Sequence, residues 1–219
     1  MLYYLQNLFQ ALDVESLSDA FSRMLAVFLC LTVHEVCHGL AAYALGDPTA
    51  KMMHRLSLNP LRHIDWFGLV MMFVAGFGWA KPVPVDPRFF KKPKQGMALT
   101  ALAGPVSNIM LAILMIAISE TIYLYAPYSL LWSKLFSFCS YTVAPLSIGL
   151  GVFNLLPIPP LDGSKVAAVL LPDRIYIQLM RYERYGILVL LLLSWLGLTV
   201  NLISNAIMGV YGALFSLFY

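Results

Sequence analysis

Long apolar stretches separated by short polar loops dominate the sequence. Three of them, residues 24–45, 97–118 and 135–156, are long enough to cross a bilayer as helices, since about 20 residues rising roughly 1.5 Å each span the hydrocarbon core. A shorter run at residues 64–78 suits a re-entrant segment at least as well as a span. Residues 186–219 hold either two spans or one span and an interfacial helix. The pattern predicts an all-α polytopic membrane protein, a helical bundle of about four to six transmembrane segments.

The segments between the apolar stretches contain residues that disfavour helix. Residues 53–58 alternate in a way compatible with a β-strand, and the Asn59-Pro60 pair that follows is typical of a turn. Prolines at positions 157, 159 and 160 exclude a regular helix. The backbone there must unwind at or near membrane depth, which is tolerated only when it packs in protein or lines a wet cavity.

The composition supports a membrane protein. The chain has 219 residues, of which 60% are apolar and 11% are charged, whereas a soluble domain carries roughly a quarter charged residues. We expect a single domain over residues 1–219, beginning with an amphipathic segment rather than a cleavable signal peptide. The three cysteines all fall in apolar segments, which argues against a disulfide framework. No basic-aromatic pattern indicates a nucleic-acid partner.

The distribution of basic residues predicts the topology of this domain. Its predicted segments are the amphipathic N-terminus (1–22), a first helix (24–45), a loop and re-entrant region (49–85), a second helix (97–118), a third helix with an unwound end (135–163) and C-terminal helices (186–219). If residues 64–78 dip in and return, twelve of the fourteen Lys and Arg residues, all but Arg23 and Lys134, lie on one face. If that run spans instead, the basic loops divide between two faces. The positive-inside rule favours the re-entrant arrangement, with the basic face in the cytoplasm.

Ionisable groups interrupt the first apolar stretch at His34, Glu35 and His38. On a helix, the two histidines lie about 40° and one turn apart, so their imidazoles can converge on one ion. Glu35 lies on the same side, close enough to act on a water molecule at the metal without being a ligand. Burying such groups in lipid costs several kcal/mol, so they normally face an interior site and pair with a partner there. This favours a zinc hydrolase site over a structural polar cluster. Cys37 can reach the metal by spacing, but packing is its more common role.

A third ligand is needed, because catalytic zinc usually has three protein ligands and an open position for water. Asp162 is the best candidate, since in the re-entrant topology its unwound segment runs toward the same face as the end of the first helix. The remaining histidines, His54 and His63, both fall in the predicted loop. An ordinary turn or helix cap is the alternative for Asp162, because Asp-Gly is a common turn pair.

Three motifs, in this order on three apolar segments, resemble the site-2 protease family of intramembrane zinc metalloproteases. They are His34-Glu35-x-x-His38, Gly104-Pro105-x-x-Asn108 and Asn154-Leu155-Leu156-Pro157-x-Pro159-x-Leu161-Asp162-Gly163. The segments at residues 55–65 and 77–85 are similar to those of small prokaryotic members without a PDZ domain. The resemblance covers roughly residues 30–165.

The resemblance implies a set of roles for these residues. His34, His38 and Asp162 would bind one zinc ion per chain, with Glu35 as general base and acid. Asn154 matches an asparagine that steadies the substrate carbonyl or its oxyanion.

The resemblance also implies supporting features. Asn108 and His63 are expected to bind substrate or support the site, and residues 49–85 are expected to include a membrane-associated β-hairpin to which a substrate can add as a strand. Three residues depart from the family pattern without removing a catalytic group: Cys37, His54 and Trp66.

These features predict an intramembrane endopeptidase that cleaves a transmembrane segment of another membrane protein, as in regulated intramembrane proteolysis. We expect a multi-pass protein of the cell membrane with its active site toward the cytoplasm, whose partners are the substrate and the bilayer, with a homo-oligomer left open. A membrane di-iron oxygenase needs more histidine clusters than four histidines supply. A catalytically silent scaffold of the same fold is the remaining alternative.

Overall fold

Three long apolar helices form the frame of the protein. The computed structural model describes residues 14–66, 81–178 and 198–217, together with residues 68, 181, 186 and 192. Within these residues, the helical stretches long and apolar enough to cross a membrane are Leu17–Ala44, Pro93–Tyr125 and Leu130–Asn154. The three long spanning stretches predicted from the sequence are therefore helical, and the described residues are mostly helical overall.

The elements follow one another along the chain with short connections. In chain order they are α1 (Val14–Ala44), α2 (Thr49–Met52), 3₁₀ turns at Pro60–Arg62 and Pro87–Phe89, α3 (Pro93–Tyr125), α4 (Leu130–Ser137), a π-helical segment (Phe138–Val143), α5 (Ala144–Asn154), α6 (Asp162–Ala168) and α7 (Leu198–Phe215).

The helices are longer than the apolar pattern predicted. The predicted N-terminal segment, where described, is continuous with α1, because residues 14–24 contain no proline or glycine to end a helix. Residues 1–13 lie outside the described residues. The predicted connection at residues 120–134 shrinks to residues 126–129, since polar residues at the ends of α3 and α4 are compatible with helix. Much of the predicted C-terminal region before α7 also lies outside the described residues.

Small side chains allow α1, α3 and α5 to pack closely around one another. α1 and α3 run antiparallel, because His38 bonds to Thr100 near the start of α3, whereas Cys30, about two turns earlier on α1, shares a buried cluster with Leu111, further along α3. On α5, Gly151 lies against the Pro105 carbonyl of α3, where an added Cβ would come within 3.1 Å. Close packing of this kind replaces the hydrophobic driving force, which is weak between helices in lipid.

A π-helical segment accommodates a proline in the third spanning stretch. In a continuous α-helix the ring of Pro145 would clash with the carbonyl four residues earlier. The helix instead widens at Phe138–Val143, where the Ala144 N–H bonds to the Cys139 carbonyl, five residues back. The same register pairs the Ser140 carbonyl with Pro145, which has no N–H to donate. The Tyr211 hydroxyl of α7 donates to that carbonyl at 3.2 Å and accepts from the Ser140 hydroxyl at 2.9 Å.

The strand predicted at residues 53–58 is absent. These residues form a turn followed by irregular backbone, and the described residues contain no β-strand, only an isolated bridge at Ile64. The reason is local: His54 adopts a left-handed φ of 51° and Arg55 donates its N–H to the Ala50 carbonyl, so the chain wraps back onto α2. Residues that would form the rest of the hairpin, and most of the run at 64–78, lie outside the described residues. The Lys81 N–H bonds to the His63 carbonyl at 2.9 Å, so the two ends of that region are adjacent.

Tyr211→Phe tests the role of the π segment. Loss of the hydroxyl leaves the buried Ser140 carbonyl without its donor, so we expect the free energy of unfolding to fall by about 0.5–1.5 kcal/mol. Unfolding of the purified protein by SDS in detergent micelles, followed by circular dichroism, measures it. Tyr123→Phe is the control, because Tyr123 is exposed and its ring contact with Phe136 survives the change. Equal stability of the two variants would contradict this account.

Candidate metal centre

Three side chains from distant parts of the sequence converge between the spanning helices. The His34 Nε2 atom lies 3.2 Å and the His38 Nε2 atom 3.1 Å from Asp162 Oδ2, and the two Nε2 atoms are 2.9 Å apart. Both imidazoles are buried, and the Asp162 side chain is only 12% exposed. These residues form a group that could hold a metal ion, the expected combination of two histidines from α1 and an aspartate from α6.

The helix positions and orients the two imidazoles. His34 and His38 lie one turn apart on α1, and their rings meet edge to face with centroids 4.5 Å apart. The His38 Nδ1–H donates to the Thr100 carbonyl of α3 at 2.7 Å. This bond fixes the tautomer, so that the Nε2 lone pair faces the other two groups, as is usual for a metal-binding histidine.

The donor set fits a zinc ion. With its proton on Nδ1, neutral His38 presents an acceptor toward the Asp162 carboxylate, which is itself an acceptor. Converging acceptors repel one another unless a cation or proton lies between them. A tetrahedral zinc with bonds of about 2.0–2.2 Å holds its ligands roughly 3.3 Å apart, close to the separations observed here. Two imidazoles and one carboxylate also match a catalytic zinc site, which keeps a position open for water.

A tight turn brings Asp162 back into the bundle. After α5, residues 155–161 are irregular, and α6 begins at Asp162 with Leu161 as its uncapped N-cap residue. A Cβ at Gly163 would overlap the backbone of Leu155 and Leu156, so only glycine lets α6 begin this close to the end of α5. The Asp162 carboxylate therefore faces the imidazoles rather than capping its helix.

Gly104 on α3 provides room for the imidazoles. A Cβ at this position would overlap the rings of both His38 and His34. The Gly104-Pro105-x-x-Asn108 motif therefore begins with glycine for a steric reason: the α3 backbone forms one wall of the site and leaves no space for a side chain.

Comparisons with known proteins agree with this geometry. The sequence model of peptidase family M50 matches residues 121–196. The chain is 40% identical over 175 residues to a Bacillus subtilis (strain 168) protein named "Putative zinc metalloprotease YwhC", an alignment covering 78% of this chain and 78% of that protein. The chain belongs to peptidase family M50, the site-2 protease family. Its cofactor is zinc, for which His34, His38 and Asp162 form the candidate site.

More distant relatives carry related names. "Putative zinc metalloprotease Rip2" of Mycobacterium tuberculosis (strain ATCC 25618 / H37Rv) is 35% identical over 144 residues, covering 63% of this chain and 51% of Rip2. The Rip2 protein of Mycolicibacterium smegmatis is 29% identical over 140 residues, covering 62% of this chain and 51% of that protein. The chain thus spans about half the length of the Rip2 proteins. No solved structure matches the chain.

Glu35 lies beside this M50 site without joining the ligand group. It is buried, and its Oε2 accepts the backbone N–H of Val83 at 2.8 Å. The bond to the Val83 N–H therefore occupies one of the two carboxylate oxygens of Glu35. Cys37, the other candidate on this helix, is a free thiol outside the group of converging ligand atoms.

The other predicted site residues occupy different positions. Asn108 is fully buried on α3, and neither amide atom has a partner among the described residues. Asn154 ends α5 and donates its amide to the Leu150 carbonyl at 2.9 Å. His63 is buried in the loop before residue 64, where its Nε2 bonds to the Ser57 carbonyl at 2.7 Å. His54 is exposed in its strained turn.

Sequence reasoning missed three contributors to the site. Thr100 and Val83 act through backbone groups, which leave no signature in their side chains. Asp47 is a fully buried carboxylate outside the motifs, and it accepts N–H bonds from Thr49 and Asp86. The prolines on either side of Val83 could have indicated its role, because they have no N–H and leave the Val83 N–H as the single backbone donor of residues 82–84.

Gly104→Ala tests the steric requirement at the metal site. The added methyl displaces the imidazoles, so we expect zinc affinity to fall about 10-fold or more, the scale seen when groups that orient ligands are lost. Zinc dissociation constants from competition with a chelator measure it. Gly209→Ala serves as the matched control, since a Cβ at Gly209 would meet no atom of the described residues within 4 Å. Unchanged zinc affinity in Gly104→Ala would count against the site as described.

Proposed function

We propose that this chain is an intramembrane zinc endopeptidase that cleaves transmembrane segments of other membrane proteins. The observation that carries the proposal is the His34, His38 and Asp162 group, enclosed by apolar helices long enough to cross the bilayer. A buried, ionisable group of this kind in a membrane protein normally faces an interior functional site. Membership of peptidase family M50 supports proteolysis as the reaction.

Glu35 is the proposed general base and acid. The chemistry that a zinc ion supplies at such a site is activation of water, whose pKa falls to about 7, and polarisation of the scissile carbonyl. The Glu35 carboxylate takes a proton from the attacking water and then passes it to the leaving amine, so the peptide bond is replaced by a carboxylate and an amine. Its Oε1 atom is available for this transfer, because the bond that the described residues make to this carboxylate, from the Val83 N–H, is at Oε2.

Asn154 is the proposed donor to the oxyanion of the substrate. Its amide has two N–H groups, and one of them bonds to the Leu150 carbonyl. The second is available for the oxyanion that develops as the carbonyl is attacked. We assign supporting roles to Asn108 and His63. Asn108 is buried one turn beyond Gly104, and His63 bonds to the Ser57 carbonyl within the loop.

We also propose a multi-pass topology of four to six spans with the basic face in the cytoplasm. The bond between the His63 carbonyl and the Lys81 N–H supports a re-entrant path for the region between them, because its two ends are at the same depth. This arrangement places twelve of the fourteen basic residues on one face, as the positive-inside rule favours. A substrate must lose its helical hydrogen bonds before its backbone can reach the site, so residues that weaken helix near the cut should favour cleavage.

Glu35→Gln separates catalysis from metal binding. The amide cannot accept the proton, so we expect kcat to fall by about 100-fold or more while the protein keeps one zinc per chain. Cleavage of a reconstituted membrane substrate and metal analysis of the same preparation give the two readings. Asp19→Asn, the same chemical change at an exposed position on α1, controls for the loss of charge. Normal cleavage by Glu35→Gln would refute the assigned base.

Labelling of cysteines at the two ends of α3 tests the topology. Lys92 precedes α3 and exposed Tyr128 follows it. In a variant with Cys30, Cys37 and Cys139 replaced, we expect a membrane-impermeant maleimide to label Tyr128→Cys on intact cells and Lys92→Cys only after lysis. Labelling of Lys92→Cys on intact cells would contradict the proposed topology, because the basic face would then lie outside the cell.

A further inference from the structure

An extended segment, residues 81–86, lies along the second half of α1, and we call it the strap. Its central N–H, from Val83, donates to Glu35 Oε2 at 2.8 Å. Its last N–H, from Asp86, donates to Asp47 Oδ2 at 2.7 Å. Glu35 and Asp47 lie on α1 and just after its end, so the strap follows the helix from the candidate base to the helix terminus.

Both ends of the strap are anchored. The Arg55 guanidinium donates to the Lys81 carbonyl at 2.7 Å and to the Pro82 carbonyl at 3.3 Å. At the other end, Asp47 is fully buried, and its second oxygen accepts the N–H and hydroxyl of Thr49. The strap is therefore held by charged groups that belong to the loops on either side of α2.

Gly39 lets the strap approach α1 closely. It lies one turn after Glu35, and a Cβ there would come within 2.5 Å of Leu56 Cδ2 and 3.1 Å of Val83 Cγ1. A methyl group there would require the Leu56 and Val83 side chains to shift. Because Glu35 and Gly39 share a helix face, we expect the shift of Val83 to weaken the bond between its N–H and the carboxylate.

The prolines of the strap leave one donor facing Glu35. Pro82 and Pro84 have no N–H and hold φ near −65°, which suits an extended segment. The Val85 N–H has no partner among the described residues. Val83 and Glu35 are both buried, so water does not readily replace their bond.

We propose that the Val83 backbone amide is a positioning group for the Glu35 carboxylate, held in place by the strap and admitted by Gly39. The N–H fixes one carboxylate oxygen through a charge-assisted bond and so directs the other toward the substrate and its water. The inference rests on the proposed role of Glu35 as general base. It adds that the base is oriented by a backbone group outside the zinc-binding motifs.

Val83→Pro removes the N–H from a segment that already contains two prolines. We expect kcat to fall about 10- to 100-fold, the effect of misplacing a catalytic group by about 1 Å, with KM and zinc content unchanged. Val85→Pro makes the same change two residues later, where no described residue accepts the N–H, and should stay within about twofold of the original enzyme. Gly39→Ala should reproduce the fall in kcat with zinc retained, since it displaces the strap without changing its backbone.

Hydrogen exchange gives a reading that does not depend on activity. The strap after Lys81 carries only the amides of Val83, Val85 and Asp86. We expect Glu35→Ala to speed exchange at Val83, because the acceptor is lost, and Glu35→Gln to leave it protected, because the amide oxygen still accepts.

The outcomes separate this inference from the proposed function. Equal kcat values for Val83→Pro and Val85→Pro, or unchanged exchange in Glu35→Ala, would overturn the positioning role while leaving Glu35 as base. Loss of zinc or of folding in both Val83→Pro and Gly39→Ala would also overturn it, because the strap would then be purely structural. Full activity of Glu35→Gln would instead refute Glu35 as the general base, the part of the proposed function on which this inference rests.

Discussion

The convergence of two imidazoles and a carboxylate between apolar helices is the constraint on which the rest of the structure depends. His38 is committed as an acceptor at Nε2 by its bond to Thr100, and it faces a buried carboxylate. In a low-dielectric bundle such an arrangement is strongly unfavourable without a cation or a proton. A zinc ion resolves the conflict, which explains how a spanning helix can carry His34 and His38 at all.

Several backbone features serve this convergence. Gly104 keeps α3 clear of the imidazoles, and Gly163 lets the chain turn back immediately after α5 so that Asp162 reaches them. One turn after Glu35, Gly39 admits the strap that bonds to that carboxylate. Glycine is required at these positions because neighbouring atoms occupy the space of a Cβ, which links the packing of the bundle directly to the geometry of the site.

The third spanning stretch shows how the bundle tolerates a broken helix. Pro145 shifts the preceding turn into a π register, and the carbonyl left without a donor is satisfied by Tyr211 of α7. The shift lies one to two turns before the part of α5 that packs on α3, at Ser147 and Gly151. Neighbouring side chains therefore supply the hydrogen bonds that lipid cannot, and the helix after the π-helical segment remains regular as far as Asn154.

The spanning stretches and the candidate histidine ligands could be predicted from the sequence, because both depend on local properties: apolar length for the helices, and i, i+4 spacing for His34 and His38. The sequence also placed Asp162 directly after an unwound segment, through the prolines before it. Three features follow from the packing of distant segments: Asp162 faces the imidazoles rather than capping α6, residues 53–58 turn back on α2 instead of forming a strand, and Val83 bonds to Glu35. These features depend on backbone groups and on the space between distant segments, and neither is encoded in the identity of a single side chain.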